Sequence, residues 1–225
     1  MAIIITGVSK GIGKQALEEL EKHYDVVGCS RTIQEQETSN KLILKINVNN
    51  QKDLQRLVDK TMKKFGKIQA LILNAGLGTF SKLEETTEKE YDEMYNTNLK
   101  STFNLLKLAL PILKKQNEGQ IIAISSMAGL NPVPNGSVYA STKWALQGMI
   151  KSLKQELRET NIKVALIQPG SVKTHFFDKT SMTPNPQRIL TPKDISRVIT
   201  FILEQPTTSD IDEISVRPAY NPKRK

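Results

Sequence analysis

With 225 residues, 38% of them hydrophobic and 24% charged, the chain has room for a sizeable core and the balance of a globular domain, which argues against disorder. A net charge of +9 raises nucleic-acid binding. However, Lys and Arg are interleaved with acids, as at 84–93 and 155–159, and only 222–225 is a basic cluster; a basic surface favouring an anionic cofactor is the preferred reading, with no nucleic-acid partner. Cys29 is the one cysteine, no apolar run reaches the length of a membrane span, and Met1 to Thr6 lacks the features of a secretory signal, so the expectation is a cytoplasmic chain with no membrane partner.

Short apolar runs alternate with helical patterns along the chain. The runs at 2–6, 26–30, 42–46, 68–73, 120–125, 163–168 and 211–217 predict about seven strands, with helices near 11–22, 51–65, 87–116, 138–160 and 192–204. Thr86 or Thr87 is placed to cap the third helix, Pro111 to bend or end it, and Thr191-Pro192 to open the last. Strands apolar on both faces, each followed by a helix, predict an α/β fold: a doubly wound Rossmann-type parallel sheet with helices on both faces, in a single domain over 1–225. Residues 31–40 carry no pattern. Residues 171–190 read as a long loop with at most one short helix, placed to border a substrate.

Between the first strand and first helix runs Thr6-Gly-Val-Ser-Lys-Gly-Ile-Gly13. Gly7, Gly11 and Gly13, with Ser9 and Ile12 between them, let the backbone turn tightly toward a pyrophosphate at the helix N-terminus. Further along, Ser126 is followed thirteen residues later by Tyr139, and Lys143 stands one helical turn beyond. Tyrosine and lysine at i and i+4 share a helix face, and a nearby cation favours the phenolate. A hydroxyl such as Ser126, or the competing Ser125, would hold a substrate oxygen. Taken alone, the pair also fits a surface lysine over a packed tyrosine.

The glycine motif, Asn74-Ala75-Gly76, Asn98, Ser126, Tyr139, Lys143, and Pro169-Gly170 through Thr174 stand in the order and spacing of the short-chain dehydrogenase/reductase family, which the sequence resembles over nearly its whole length. The resemblance implies an enzyme transferring hydride between a nicotinamide cofactor and a carbonyl. Tyr139 would be the general acid, Lys143 would lower its pKa and bind the nicotinamide ribose, Ser126 would bond the substrate oxygen, and Asn98 would hold a water connecting Lys143 to solvent. Arg31 after the second strand and Lys10 in the glycine turn imply NADP(H), since arginine suits a 2′-phosphate where an acid suits NAD. Asn47-Val48 departs from the aspartate usual near the adenine, and its side chain would accept a bond from the adenine amino group. Asn74, Ala75 and Gly76 would sit beside the adenine ribose; Val172 and Thr174 would hold the nicotinamide carboxamide.

The substrate pocket is expected from 127–138 and 175–189, made apolar by Met127, Leu130, Val133, Phe176, Phe177 and Met182. This predicts a small, mostly apolar ketone or aldehyde as substrate. The alternatives are a 3-oxoacyl thioester, or a non-catalytic NADP-sensing regulator. His175 is expected to line the pocket mouth or face solvent, because His23 is the other histidine and no carboxylate cluster lies in register; no metal site is expected. By resemblance, pairing through the helices of Asn98 and Tyr139 makes a homodimer or homotetramer.

Overall fold

The structure, a computed structural model, describes residues 1–178 and 182–220. The basic cluster at 222–225 lies outside these. Among the described residues eight strands form one sheet: β1 (Ala2–Thr6), β2 (Asp25–Ser30), β3 (Gln36–Glu37), β4 (Lys41–Lys45), β5 (Ile68–Leu73), β6 (Gly119–Ile124), β7 (Ile162–Pro169) and β8 (Glu213–Val216). Their spatial order is β3-β4-β2-β1-β5-β6-β7-β8. Every pairing is parallel except that of β3 with β4.

The sequence expectation of about seven strands misses β3, two exposed polar residues without alternation. Side chains place it: Glu35 accepts from the Lys45 N–H and pairs with Arg56, while Glu37 pairs with Lys64. The last strand is shorter than the predicted 211–217.

The α-helices that flank the sheet are α1 (Gly11–Leu20), α2 (Gln51–Phe65), α3 (Glu88–Tyr95), α4 (Ser101–Gln116), α5 (Ser137–Glu156) and α6 (Pro192–Leu203), among the described residues. Alternation along β1 shows how both faces are covered. Ala2 and Ile4 join the core of α2, α4 and α5, with Leu54, Leu105, Leu146 and Ile150. Ile3 and Ile5 join that of α1 and α6, with Leu17, Leu20, Ile195 and Ile199. Side chains buried on both faces of a strand give it a continuous apolar run.

Thr87, not Thr86, caps α3: its hydroxyl accepts from the Glu90 N–H while Glu90 accepts from the Thr87 N–H. Asp194 closes the start of α6 on Thr191, and Pro192 opens the helix. The predicted helix over 87–116 is interrupted in geometry, though not in direction of chain, by a π-helical turn at Asn96–Lys100. Pro111 does not end α4, which continues to Gln116. Its ring stands at an exposed position, where water can satisfy the carbonyl that loses its N–H partner.

Strand order reverses between β1 and β5, so the chain leaves these neighbours toward opposite sides of the sheet and opens a crevice at their carboxyl ends. The glycine turn follows β1 and Asn74 follows β5. Residues 171–190 start beyond β7, with no helix among their described residues. A bridge between Val172 and Leu190 pins the base of this loop.

Candidate active site

The glycine turn is held by the end of β5. Thr6 Oγ1 accepts the N–H of Asn74 (3.0 Å) and of Ala75 (2.9 Å), and Asn74 Nδ2 donates to the carbonyls of Thr6 (2.8 Å) and Gly7 (3.3 Å). Asn74, expected beside the adenine ribose, therefore spends its amide clamping the turn. Gly7 and Gly11 adopt φ of 78° and 62°, a region disfavoured for residues with a Cβ. At Gly13 the constraint is space: a Cβ would lie 2.3 Å from the Gly7 carbonyl oxygen.

Beyond the turn, α1 begins with no side-chain cap and no acidic residue in its first turn. Its first N–H groups are thus free to face an anion. Lys10 and Arg31 are exposed, and neither side chain has a hydrogen-bond or ion-pair partner among the described residues. A glycine cradle, an uncapped helix N-terminus and two unpaired cations fit the phosphates of a dinucleotide. Ser9 and Ile12 lie within the cradle.

Val48 is buried and Asn47 exposed at the next stretch of the crevice. The Asn47 side-chain oxygen accepts the Asn49 N–H at 3.1 Å, so the acceptor expected to meet an adenine amino group already serves a local turn. At the far end, Gly170 N–H donates to Val216 O, tying Pro169-Gly170 to β8. The Val172–Leu190 bridge uses the Lys173 N–H and the Ser171 carbonyl, leaving the amide groups of Val172 itself outside it. Thr174 lies against the turn, its side chain 3.1 Å from where a Gly11 Cβ would stand.

At the carboxyl end of β6 and the start of α5, Ser126, Tyr139 and Lys143 meet. Ser126 Oγ accepts the Ala128 N–H at 3.1 Å and lies close enough to the Tyr139 hydroxyl to lower its pKa. The competing Ser125 is buried and turned away, accepting from Gln147 Nε2. Burial pushes the Tyr139 phenol up to about 12, opposed by the neighbouring Ser126 hydroxyl. Burial likewise pushes the Lys143 ammonium down to about 8. Lys143 Nζ donates to the Ile124 carbonyl at 3.1 Å and stands 5.9 Å from the Tyr139 ring centroid. In this arrangement Ser126, rather than Lys143, is the group that lowers the phenol. A Cβ on Gly76 would come within 3.6 Å of Nζ, so the glycine leaves the ammonium approachable from the crevice.

Asn98 lies in the π-helical turn and is 1% exposed. Its Oδ1 accepts the Leu77 N–H (2.9 Å), and its Nδ2 donates to Leu77 O (2.8 Å) and Thr142 Oγ1 (3.0 Å). Both side-chain hydrogens are used by protein, so a water held there would donate to Oδ1 or bind the backbone of the turn. π-Helical turns of this kind concentrate at functional sites.

Tyr139 is enclosed by rings. Phe80 and Phe176 stand 5.3 and 5.4 Å from it between centroids, and Phe177 packs on both. Val133, Met182 and Leu77 complete the cluster. Leu130, expected in the pocket, is exposed, and His175 faces solvent, paired with Asp178 at 2.8 Å. Phe80, Thr6, Thr142 and Gln147 were not singled out by sequence. Phe80 sits in an unpatterned stretch, whereas Thr142 directly precedes Lys143 and Gln147 follows it by one helical turn, a signal that was there to use. Among the described residues no group of three or more His, Cys, Asp or Glu is placed to hold a metal, and no helix is long and apolar enough to cross a membrane.

Comparison with known proteins agrees with this geometry. An uncharacterised oxidoreductase of Listeria monocytogenes is 31% identical over 98% of this chain and 97% of its own length. The alcohol dehydrogenase of the archaeon Thermococcus sibiricus, solved with 5-hydroxy-NADP, is 26% identical and superposes with a TM-score of 0.87 over 100% of this chain and 99% of that one. ElxO with NADP bound is 29% identical, with a TM-score of 0.85 over 96% of each chain. The short chain dehydrogenase family model matches residues 1–185, and with that match the chain belongs to the short-chain dehydrogenase family of oxidoreductases.

Proposed function

We propose that the protein is an NADPH-dependent reductase of a small, mostly apolar ketone or aldehyde, with Tyr139 as proton donor. One observation carries this reading: the Tyr139 hydroxyl stands beside Ser126, which holds its pKa down, next to a buried lysine and under the rings of Phe80 and Phe176. NADP-bound neighbours support the cofactor, and Lys10 and Arg31 supply cations for a 2′-phosphate. The residues that would hold the dinucleotide are Gly7 through Gly13, Arg31, Asn47, Val48, Asn74 to Gly76, Tyr139, Lys143, Pro169, Gly170, Val172 and Thr174. When bound, the reduced nicotinamide supplies the hydride.

The chain's own groups handle the oxygen and its proton. Because Ser126 Oγ accepts from Ala128, its hydrogen is available to a substrate oxygen. As negative charge develops on that oxygen, Ser126 and Tyr139 both donate to it, in a site closed to water by Phe80 and Phe176. A phenol held near 12 is protonated at neutral pH, as a donor must be. Once Tyr139 has given up its proton, the phenolate is stabilised by Ser126 and by the Lys143 ammonium, which is charged below about pH 8. Phe176 lies over the tyrosine, so a substrate reaches it by displacing that ring, which favours apolar and aromatic carbonyl compounds. The chain works as one unit, with 171–190 as the substrate loop.

The test is NADPH consumption against a panel of aldehydes, ketones, diketones and 3-oxoacyl thioesters. Turnover of apolar carbonyls is expected, with kcat/KM for NADPH falling as pH rises through about 8, where Lys143 loses its charge. NADPH binding without turnover of any carbonyl would favour the sensing role instead. We also propose pairing through α4 and α5, which expose Phe103 and Trp144 at 50% and 53%. Light scattering is expected to give at least twice the chain mass, and a monomer at micromolar concentration refutes this.

A further inference from the structure

Along α5 the residues that handle the proton continue past Lys143. Tyr139, Lys143, Gln147 and Lys151 follow at four-residue spacing, so they form one stripe on the helix. Gln147 is 4% exposed. Its Nε2 donates to Ser125 Oγ at 3.1 Å and to the Ser126 carbonyl at 3.4 Å. Its Oε1 accepts from Gln168 Nε2 on β7 at 3.2 Å. The same Gln168 amide donates to Glu213 Oε2 on β8 at 2.6 Å, and its oxygen accepts from Ser215 Oγ at 2.8 Å. Lys151 closes the circuit on Glu213 Oε1 at 2.7 Å.

This chain has a direction. An ionised carboxylate only accepts, so Glu213 obliges Gln168 to present its NH₂. The second hydrogen of that NH₂ then requires the oxygen of Gln147, which turns the Gln147 NH₂ toward the serines. Reversing either amide would set like groups against each other. Gly129 makes the approach possible, since a Cβ there would lie 2.1 Å from Gln147 Nε2.

We propose that Gln147 is a positioning residue that sets the backbone of Ser126, with Gln168 and the Glu213–Lys151 pair fixing its orientation from the C-terminal strand. The inference rests on the assignment of Ser126 and Tyr139 under the proposed function. Without Gln147 the serine loop loses the hydrogen bonds to Ser125 Oγ and the Ser126 carbonyl, and Ser126 keeps its contacts within its own turn and beside Tyr139.

Gln147→Met retains length and volume but no hydrogen bond. In the full-length protein, with a carbonyl from the panel, kcat is expected to fall about tenfold, as for one lost hydrogen bond, while KM for NADPH stays within about twofold. In a Ser126→Ala background the same substitution is expected to have no further effect, because the two act through one group. Gln147→Leu, which neither donates nor accepts, should show the same loss and serves if the methionine variant folds poorly. Independently of turnover, the Ala128 N–H held by Ser126 should exchange at least fivefold faster in either variant, with β1 amides unchanged. Wild-type kcat and Ala128 protection in Gln147→Met, or an equal loss in both serine backgrounds, overturns the proposal. A Ser126→Ala enzyme with wild-type kcat overturns instead the site assignment beneath it.

Discussion

Tyr139→Phe is expected to lower kcat by roughly a hundred- to ten-thousandfold, the range of a general acid lost from its site, while the Kd for NADPH stays within about twofold. The substitution is selective because the ring does the packing and the oxygen the chemistry. The contacts with Phe80 and Phe176 are ring contacts and survive in phenylalanine. Ser126 Oγ keeps its bond from the Ala128 N–H, so the loop should hold its shape. Lys143 binds the Ile124 carbonyl rather than the phenol and is not released by the change. Steady-state kinetics and a fluorescence titration with NADPH separate the two quantities. Activity within tenfold of wild type removes Tyr139 from proton delivery; a comparable loss of NADPH affinity makes its role structural.

Arg31→Asp is expected to invert cofactor preference. Arg31 follows directly on β2, at the carboxyl edge where α1 also begins. The acids nearest in sequence are already committed, Glu35 to Arg56 and Glu37 to Lys64, which leaves the guanidinium unpaired and available to a 2′-phosphate. A hydrogen bond between charged groups contributes about 1.5–3 kcal/mol, and that converts to roughly ten- to 150-fold in affinity. Aspartate removes this contact, repels the phosphate and offers an acceptor to the ribose hydroxyls of NADH. The ratio of kcat/KM for NADPH over NADH should therefore fall by at least that factor. A ratio changed by less than threefold would mean that Arg31 does not read the phosphate and that Lys10 carries the selectivity alone.

The parallel sheet was legible because its strands are buried on both faces and so read as unbroken apolar runs, as Ala2–Thr6 does. The two-residue β3 was not, since two exposed polar residues have no burial to impress a pattern. Its place comes from ion pairs to α2 across more than twenty residues of chain. Helix caps at Thr87 and Thr191 were legible because capping is local. Pro111, expected to bend or end its helix, does not end it: α4 runs on to Gln116, with the ring at an exposed position where water can meet the freed carbonyl.

The same division runs through the site. Gly7, Gly11 and Gly13, and the four-residue step from Tyr139 to Lys143, are local patterns, and by themselves they determined a phosphate-binding turn and a tyrosine–lysine pair. They also left Ser125 and Ser126 as rivals. Only the tertiary structure separates the two, with Ser125 buried against Gln147 and Ser126 beside Tyr139. It also joined the side chains of Asn74 and Asn98 to the backbone of Thr6, Gly7 and Leu77, and it placed Phe80 and Phe176 on the Tyr139 ring. Each of these depends on which buried amides and hydroxyls find partners in strands and loops distant along the chain. Spacing carries the contacts within a helix or turn, whereas those across the sheet exist only once the core has closed.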